Sequence, residues 1–162
     1  IVITDHLAEL IPEQRMDLKA TIEKHSNNMK MLRNNYGVTC VDVQQQMASK
    51  EGVEHAKFNK HEPSLDGLGE SKLTQRKANI ILGLFAPNRH EVTDYKGYDI
   101  TRMQDHFRWL MVLKNRNGIS NVSTPLFYDG AVNVFKEMPK KDSPKLTKAY
   151  ERASQLILES ML

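Results

Sequence analysis

Apolar residues fall along this chain in short runs separated by polar stretches, and the period of each run predicts its element. Residues 1–3, Ile1-Val2-Ile3, read as a short buried strand ending at Thr4-Asp5. Pro12 suits a first helical turn, so a long helix is predicted from there to about residue 34 or 35. Leu18, Ile22, Met29, Leu32 and Tyr36 approximate one stripe of that helix, and Gly37 supplies its stop. Residues 38–43 read as a second strand, closed by Gln44-Gln45-Gln46. From 47 to about 70 the chain is polar and carries Gly52, Pro63, Gly67 and Gly69. A loop of that length in a compact domain is functional or disordered.

The second half resumes the pattern. Residues 71–77 predict a helical turn, 79–85 an apolar strand ended by Pro87, and 88–98 a polar segment with Gly97. A short helix is expected to open at 99–102, followed by a strand at 108–114 and a hairpin partner at 119–128, in which Pro125 marks an edge or bulge. Asp129-Gly130 predicts a turn and 132–135 a last strand. Ser143-Pro144 suits the start of a helix to 162, with Leu146, Ala149, Tyr150, Ala153, Leu156 and Ile157 on its apolar face. Strand, helix, strand, loop, strand and hairpin in this order predict an α/β fold whose sheet is mostly parallel and extended by an antiparallel hairpin.

Composition narrows the function classes only a little. The chain has 162 residues, 40% hydrophobic and 27% charged, which suits a globular domain with a real core. No apolar stretch approaches the roughly 18 residues of a membrane span. Cys40 is the only cysteine, which excludes an intrachain disulfide and leads us to expect a cytoplasmic setting. A net charge of +3 permits nucleic-acid binding without demanding it. The chain opens inside an apolar strand pattern with no initiator methionine, which predicts a segment of a longer protein.

The most informative residues are Lys114-Asn115-Arg116-Asn117-Gly118, between two strand-like runs. Asn-Gly in that setting is a hairpin signal, because both residues tolerate positive φ. A plain hairpin has no need of two cations two residues apart. Such a pair points to one side of a strand and can grip a phosphate, Arg116 through its planar fork and Lys114 as a point charge. Taken alone, the pair also reads as a charged hairpin tip. Asp5 directly after an apolar strand is the position that holds Mg²⁺ in nucleotide-dependent enzymes, and equally a common helix cap. Gln45 after a strand can contact a γ-phosphate or attacking water, or be an ordinary loop residue. Histidines 6, 25, 55, 61, 90 and 106 lack paired metal-ligand spacing and read as surface or local hydrogen-bonding residues. Asp5, the glutamines and the cation pair all fall at strand carboxyl ends. The expectation is that they share one rim of one sheet, where ligands bind in open α/β folds.

Together these residues resemble the replicative hexameric helicases of the DnaB type, which belong to the RecA-like ATPases. The resemblance covers roughly residues 1–137, with 138–162 left as a C-terminal helix that packs on the core or docks a partner. Ile1-Val2-Ile3-Thr4-Asp5-His6-Leu7 is similar to the family's Walker B strand, which implies a magnesium-associated role for Asp5. Gln45 is the best match to its sensor glutamine. Gly69-Glu70-Ser71-Lys72 is similar to a family turn near single-stranded DNA, with Gly69 where the family has arginine and Lys72 where it has glycine. Ala78-Asn79-Ile80 also has its counterpart. Lys114 to Gly118 nearly reproduces the family's Lys-Gln-Arg-Asn-Gly, whose lysine and arginine reach a neighbouring subunit's ATP, the arginine as a finger. Phe127-Tyr128-Asp129-Gly130 and Val134-Phe135 are similar to the end of the ATPase core. The resemblance thus implies ATP and Mg²⁺ as cofactors, single-stranded DNA as partner, and a homo-oligomer, a hexamer when intact.

One family element is missing from the sequence. No Gly-x-x-x-x-Gly-Lys-Ser/Thr occurs in the 162 residues. Without that loop there is no nest of backbone N–H groups for the phosphates, so this chain by itself is expected not to hydrolyse ATP. In RecA-like sheets the strand before the loop lies centrally, and its loss implies unpaired strand edges. The alternative reading is a non-catalytic α/β binding or assembly module derived from such an ATPase.

Overall fold

The structure is a computed structural model that describes residues 1–45, 62–65, 67 and 72–161. The chain divides into two units, Ile1–Ile81 and Leu82–Leu162.

In the first unit, β1 (Val2–Thr4) and β2 (Cys40–Asp42) pair in parallel, with Val2 opposite Cys40 and Thr4 opposite Asp42. Parallel neighbours need a long crossover, and α1 (Leu18–Tyr36) supplies it. The helix starts later than Pro12 because Asp17 makes the stronger cap: its Oδ1 accepts the Ala20 N–H at 2.7 Å. Arg15, at φ 70°, stands outside any helical path. Gly37, at φ 64°, ends the helix in the left-handed conformation, its N–H donating to Arg33 O at 3.1 Å. The ladder continues past the strand ends, since Val43 N–H donates to Thr4 O (2.9 Å) and Leu7 N–H to Val43 O (3.0 Å). A short helix, α2 (Lys72–Lys77), completes the described part of the unit.

The other sheet has the strand order β3-β6-β7-β8, where β3 is Ile80–Phe85, β6 Phe107–Asn115, β7 Val122–Asp129 and β8 Val134–Glu137. The expected single, mostly parallel sheet is therefore corrected: β6, β7 and β8 pair antiparallel, and β1–β2 form a separate sheet among the described residues. The physical reason is connection length. Loops 116–121 and 130–133 are too short for a parallel crossover and return each strand antiparallel. A small hairpin, β4 (Asp94–Tyr95) and β5 (Tyr98–Asp99), was not anticipated; it lies in the segment expected to be merely polar. After it come α3 (Ile100–Met103) and, near the end of the chain, α4 (Leu146–Ser160).

One core fills the second unit. Phe85, Tyr95, Tyr98, Phe107 and Trp109 form its aromatic centre, flanked by Ile100, Met103, Met111 and Met138. Tyr95 meets Trp109 edge-on with centroids 5.5 Å apart, the favoured geometry for two quadrupoles. α4 lays Leu146, Tyr150 and Ala153 into the same cluster, which is the apolar stripe its sequence carries. Each large side chain buried this way contributes about 1.5–3 kcal/mol. The first unit is different: Leu7 is its one fully buried apolar side chain among the described residues, while Ile1, Ile3, Val41 and Val43 are exposed.

Candidate functional site

Two groups of side chains stand out, one in each unit. In the first unit, Asp5 and Gln45 follow β1 and β2. Because these strands are parallel, both residues leave the same end of their sheet. Asp5 is exposed, and among the described residues its carboxylate has no hydrogen-bond or ion-pair partner. A solvated, unengaged carboxylate fits a water-mediated contact to Mg²⁺. It is not a complete cation site, since no cluster of three His, Cys, Asp or Glu side chains that could hold a metal occurs among the described residues. Gln45 is exposed as well.

Behind these residues lies a bracket that local sequence spacing did not reveal. His25 of α1 brings Nε2 to 2.9 Å from Asp42 Oδ1 and 3.2 Å from Thr4 Oγ1. Thr4 and Asp42 are register partners, so both project from the same face of the sheet, and one imidazole ties the two strand exits together. With the proton on Nε2 the ring donates to the carboxylate, and the threonine oxygen is near enough to share it. Next along the helix, Ser26 is buried, donates to Ile22 O at 2.9 Å and stands 2.9 Å from Thr74 Oγ1 of α2. Arg33 Nη1 donates to Lys77 O (3.1 Å) and Asn79 Oδ1 (2.9 Å), capping the end of α2. The three bracket partners are far apart in sequence and share no motif, so only the fold discloses them.

The second unit carries the cation pair. Lys114 is the penultimate residue of β6 and Arg116 opens the turn beyond it. Burial, then the Arg116 charge, pulls the Lys114 ammonium below the ordinary lysine pKa. The turn does not use Asn117-Gly118 for positive φ; Asn121 takes the left-handed conformation at φ 60°. Gly118 matters for space instead. A Cβ there would meet Asn115 Nδ2 at 2.9 Å, where the Asn115 side chain folds back to accept the Asn117 N–H and donate to Ile119 O. Asp5 and Gln45 thus stand on one sheet and Lys114 and Arg116 on another, in different units, rather than along one rim. Of the predicted DNA-facing residues, Gly69 and Glu70 lie outside the described residues, as do Lys50, Lys57 and Lys60; Lys72 is the first residue of α2.

No protein-family model matches this chain, and no curated protein matches it in sequence. Solved structures do. An ATPase domain of the DnaB-like helicase class superimposes with a TM-score of 0.67 at 17% identity, over 85% of this chain and 44% of that chain. A DnaB-like replicative helicase, solved in work on its interactions with primase, gives 0.61 at 19% identity, over 80% of this chain and 28% of that one.

The fold is that of part of a DnaB-like helicase ATPase domain.

At these identities the likeness speaks for the fold alone. The chain spans less than half the length of either DnaB-like structure. Among the described residues, no helix is long and apolar enough to cross a membrane.

Proposed function

We propose that this chain is part of a DnaB-like motor that couples ATP hydrolysis to translocation on single-stranded DNA in the cytoplasm. Asp5 helps position Mg²⁺ through water, and Gln45 senses the γ-phosphate. Lys114 and Arg116 reach the ATP of a neighbouring subunit, which makes a homo-oligomer, a hexamer when intact, necessary for turnover. Gly69, Glu70 and Lys72 face the nucleic acid, where contacts position rather than read sequence. The observation that carries this reading is the Lys114/Arg116 pair on the end of a two-stranded hairpin, within a DnaB-like fold. A cation mounted on paired strands is pre-organised to meet charge developing on a phosphoryl group. Its presence on a sheet other than that of Asp5 suits action in trans, since the two groups then serve different ATP molecules.

With no phosphate loop in its sequence, the chain alone neither holds nor hydrolyses ATP in this reading. The loop is supplied by the remainder of the ATPase domain, of which this chain spans a minor share by comparison. The test is DNA-stimulated ATP turnover by the polypeptide of the complete reading frame. Arg116→Ala is expected to abolish turnover while leaving ATP binding intact; normal turnover removes the arginine-finger role. A second reading, a non-catalytic assembly module, is favoured by the missing loop. A reading frame that encodes no phosphate loop decides for it.

A further inference from the structure

The sheet of the second unit has two faces, and only one is filled. Phe107, Trp109 and Met111 of β6 enter the core with Phe85 of β3. Alternation therefore sends Arg108, Leu110 and Val112 to the opposite face, together with Leu82 and Leu84, which are 58% and 49% exposed. Leu126 lies opposite Arg108 in register, and Phe135, 46% exposed, opposite Tyr128, which extends the same face across β7 and β8. An apolar face on a sheet is half of a layered structure, and helices are what cover it.

A charge is set into this face. Arg108 is only 6% exposed, and its guanidinium lies 4.8 Å from the centroid of the Tyr128 ring. Its Nη1 donates to Asp105 O at 2.7 Å and Phe107 O at 2.8 Å. Among the described residues it makes no ion pair, and its Nε and Nη2 have no hydrogen-bond partner. Neither nitrogen is wholly sealed from solvent. The nearest candidate, the Asp105 carboxylate, faces Arg89 Nε (3.9 Å) and Asn88 Nδ2 (3.4 Å) instead. Guanidinium keeps its charge when buried, so these donors call for an anion.

We propose that this face seats an amphipathic helix from the remainder of the same ATPase domain, and that one carboxylate within its apolar stripe pairs with Arg108. The source follows from length. The similar isolated ATPase domain is more than twice the length matched here, at 44% coverage, and the parts of a domain share one core. The occupant is a helix because the open surface is a sheet face rather than a strand edge. The carboxylate follows from the Nε and Nη2 donors, whose parallel geometry matches two carboxylate oxygens. The inference rests on the motor reading above for the helix's origin, not for the pairing.

Peptides of about 20 residues, enough for a helix spanning this sheet, are tiled across the rest of the ATPase domain encoded with this chain. Each is titrated against the chain by fluorescence anisotropy. One peptide, apolar along one side with an Asp or Glu in that stripe, is expected to bind, and its amide version to bind about tenfold more weakly. With Arg108→Met the two versions bind alike. Arg108→Lys keeps part of the preference and serves if the methionine variant fails to fold. The proposal is overturned if no peptide binds, or if the acidic and amide versions bind the native chain equally. A dimer of this chain in sedimentation, dissociated by Leu110→Lys, also overturns it by giving the face to a second copy. ATP turnover is not part of this readout. A complete polypeptide that docks the helix yet never hydrolyses ATP sinks only the motor reading.

Discussion

The His25 imidazole and the Asp42 carboxylate meet at 2.9 Å, one on α1 and the other on the last residue of β2. Both side chains are mostly buried, with 14% and 19% of their surface exposed. The contact is one half of a two-sided arrangement, because Ser26, the next residue of α1, holds Thr74 of α2. α1 therefore joins the strand exits that carry Asp5 and Gln45 to the helix that opens at Lys72. It does so with hydrogen bonds, where helix packing is more often apolar, and hydrogen bonds are directional, so small shifts at either side are transmitted as lost geometry.

His25→Ala or Asp42→Ala each leaves a half-buried polar partner unsatisfied, at a cost of about 1–3 kcal/mol. The double variant is expected to cost less than the sum of the two, since the second change removes a group already orphaned. Urea unfolding of the four proteins in the cycle measures the difference. Simple additivity would show that the 2.9 Å contact contributes nothing to stability.

The parts of this fold that were legible in the sequence are those dictated by local chemistry. Gly37 announced the left-handed end of α1, the apolar stripe of α4 announced its packing, and the Lys114–Gly118 segment announced a hairpin. Long-range pairing was not legible. Nothing near Thr4, His25 or Asp42 signals that they converge, and nothing near Arg108 signals an apolar surround. Pro12 misled because a proline suits a helix start without requiring one, and Asp17 caps better. The β4–β5 hairpin was missed because Lys96 occupies a turn position that usually advertises itself with Asn, Asp or Gly.

Lys114 yields a pH prediction. Its folded-state pKa is below the ordinary 10.5, through burial first and Arg116 second. The unfolded chain thus binds this proton more tightly than the folded one. Between the lowered value and 10.5 stability is expected to rise with pH as the penalty of holding the buried charge disappears. Lys114→Met is expected to raise the urea midpoint at neutral pH and to remove that rise on the alkaline side. A variant less stable than the native chain at neutral pH would contradict the assignment.

Gly97 is required by two independent constraints. With Lys96 it forms the two-residue loop between β4 and β5, at φ 53° and 86°, as a turn of the mirror-image type demands. A Cβ at Gly97 would also stand 2.9 Å from Lys141 Cδ. Gly97→Ala is expected to cost about 1 kcal/mol or more. Adding Lys141→Ala recovers the steric part but not the conformational part. Thermal unfolding of the single and double variants separates them; full recovery would mean that backbone strain at this position is negligible.

Tyr150 connects α4 to the start of α3 through two different bonds. Its hydroxyl accepts the Asp99 N–H at 3.0 Å, and its ring face receives the Arg102 guanidinium at 4.4 Å. Asp99 is itself the cap of α3, accepting the Arg102 N–H at 3.2 Å, and hydrogen bonding from Thr101 holds its carboxyl below the usual carboxylate range. Tyr150→Phe keeps the ring and deletes only the acceptor, so it is expected to cost about 1 kcal/mol, the value of one net hydrogen bond. Tyr150→Ala removes the buried ring as well and is expected to cost about 3–5 kcal/mol, the range for emptying an aromatic site in a packed core. Hydrogen exchange should then show α4 opening before the strands, since β6, β7 and β8 retain their own ladder. If α4 and the strands instead lose protection together, the helix and sheet form one cooperative unit and the Tyr150 hydroxyl is not its weakest tie.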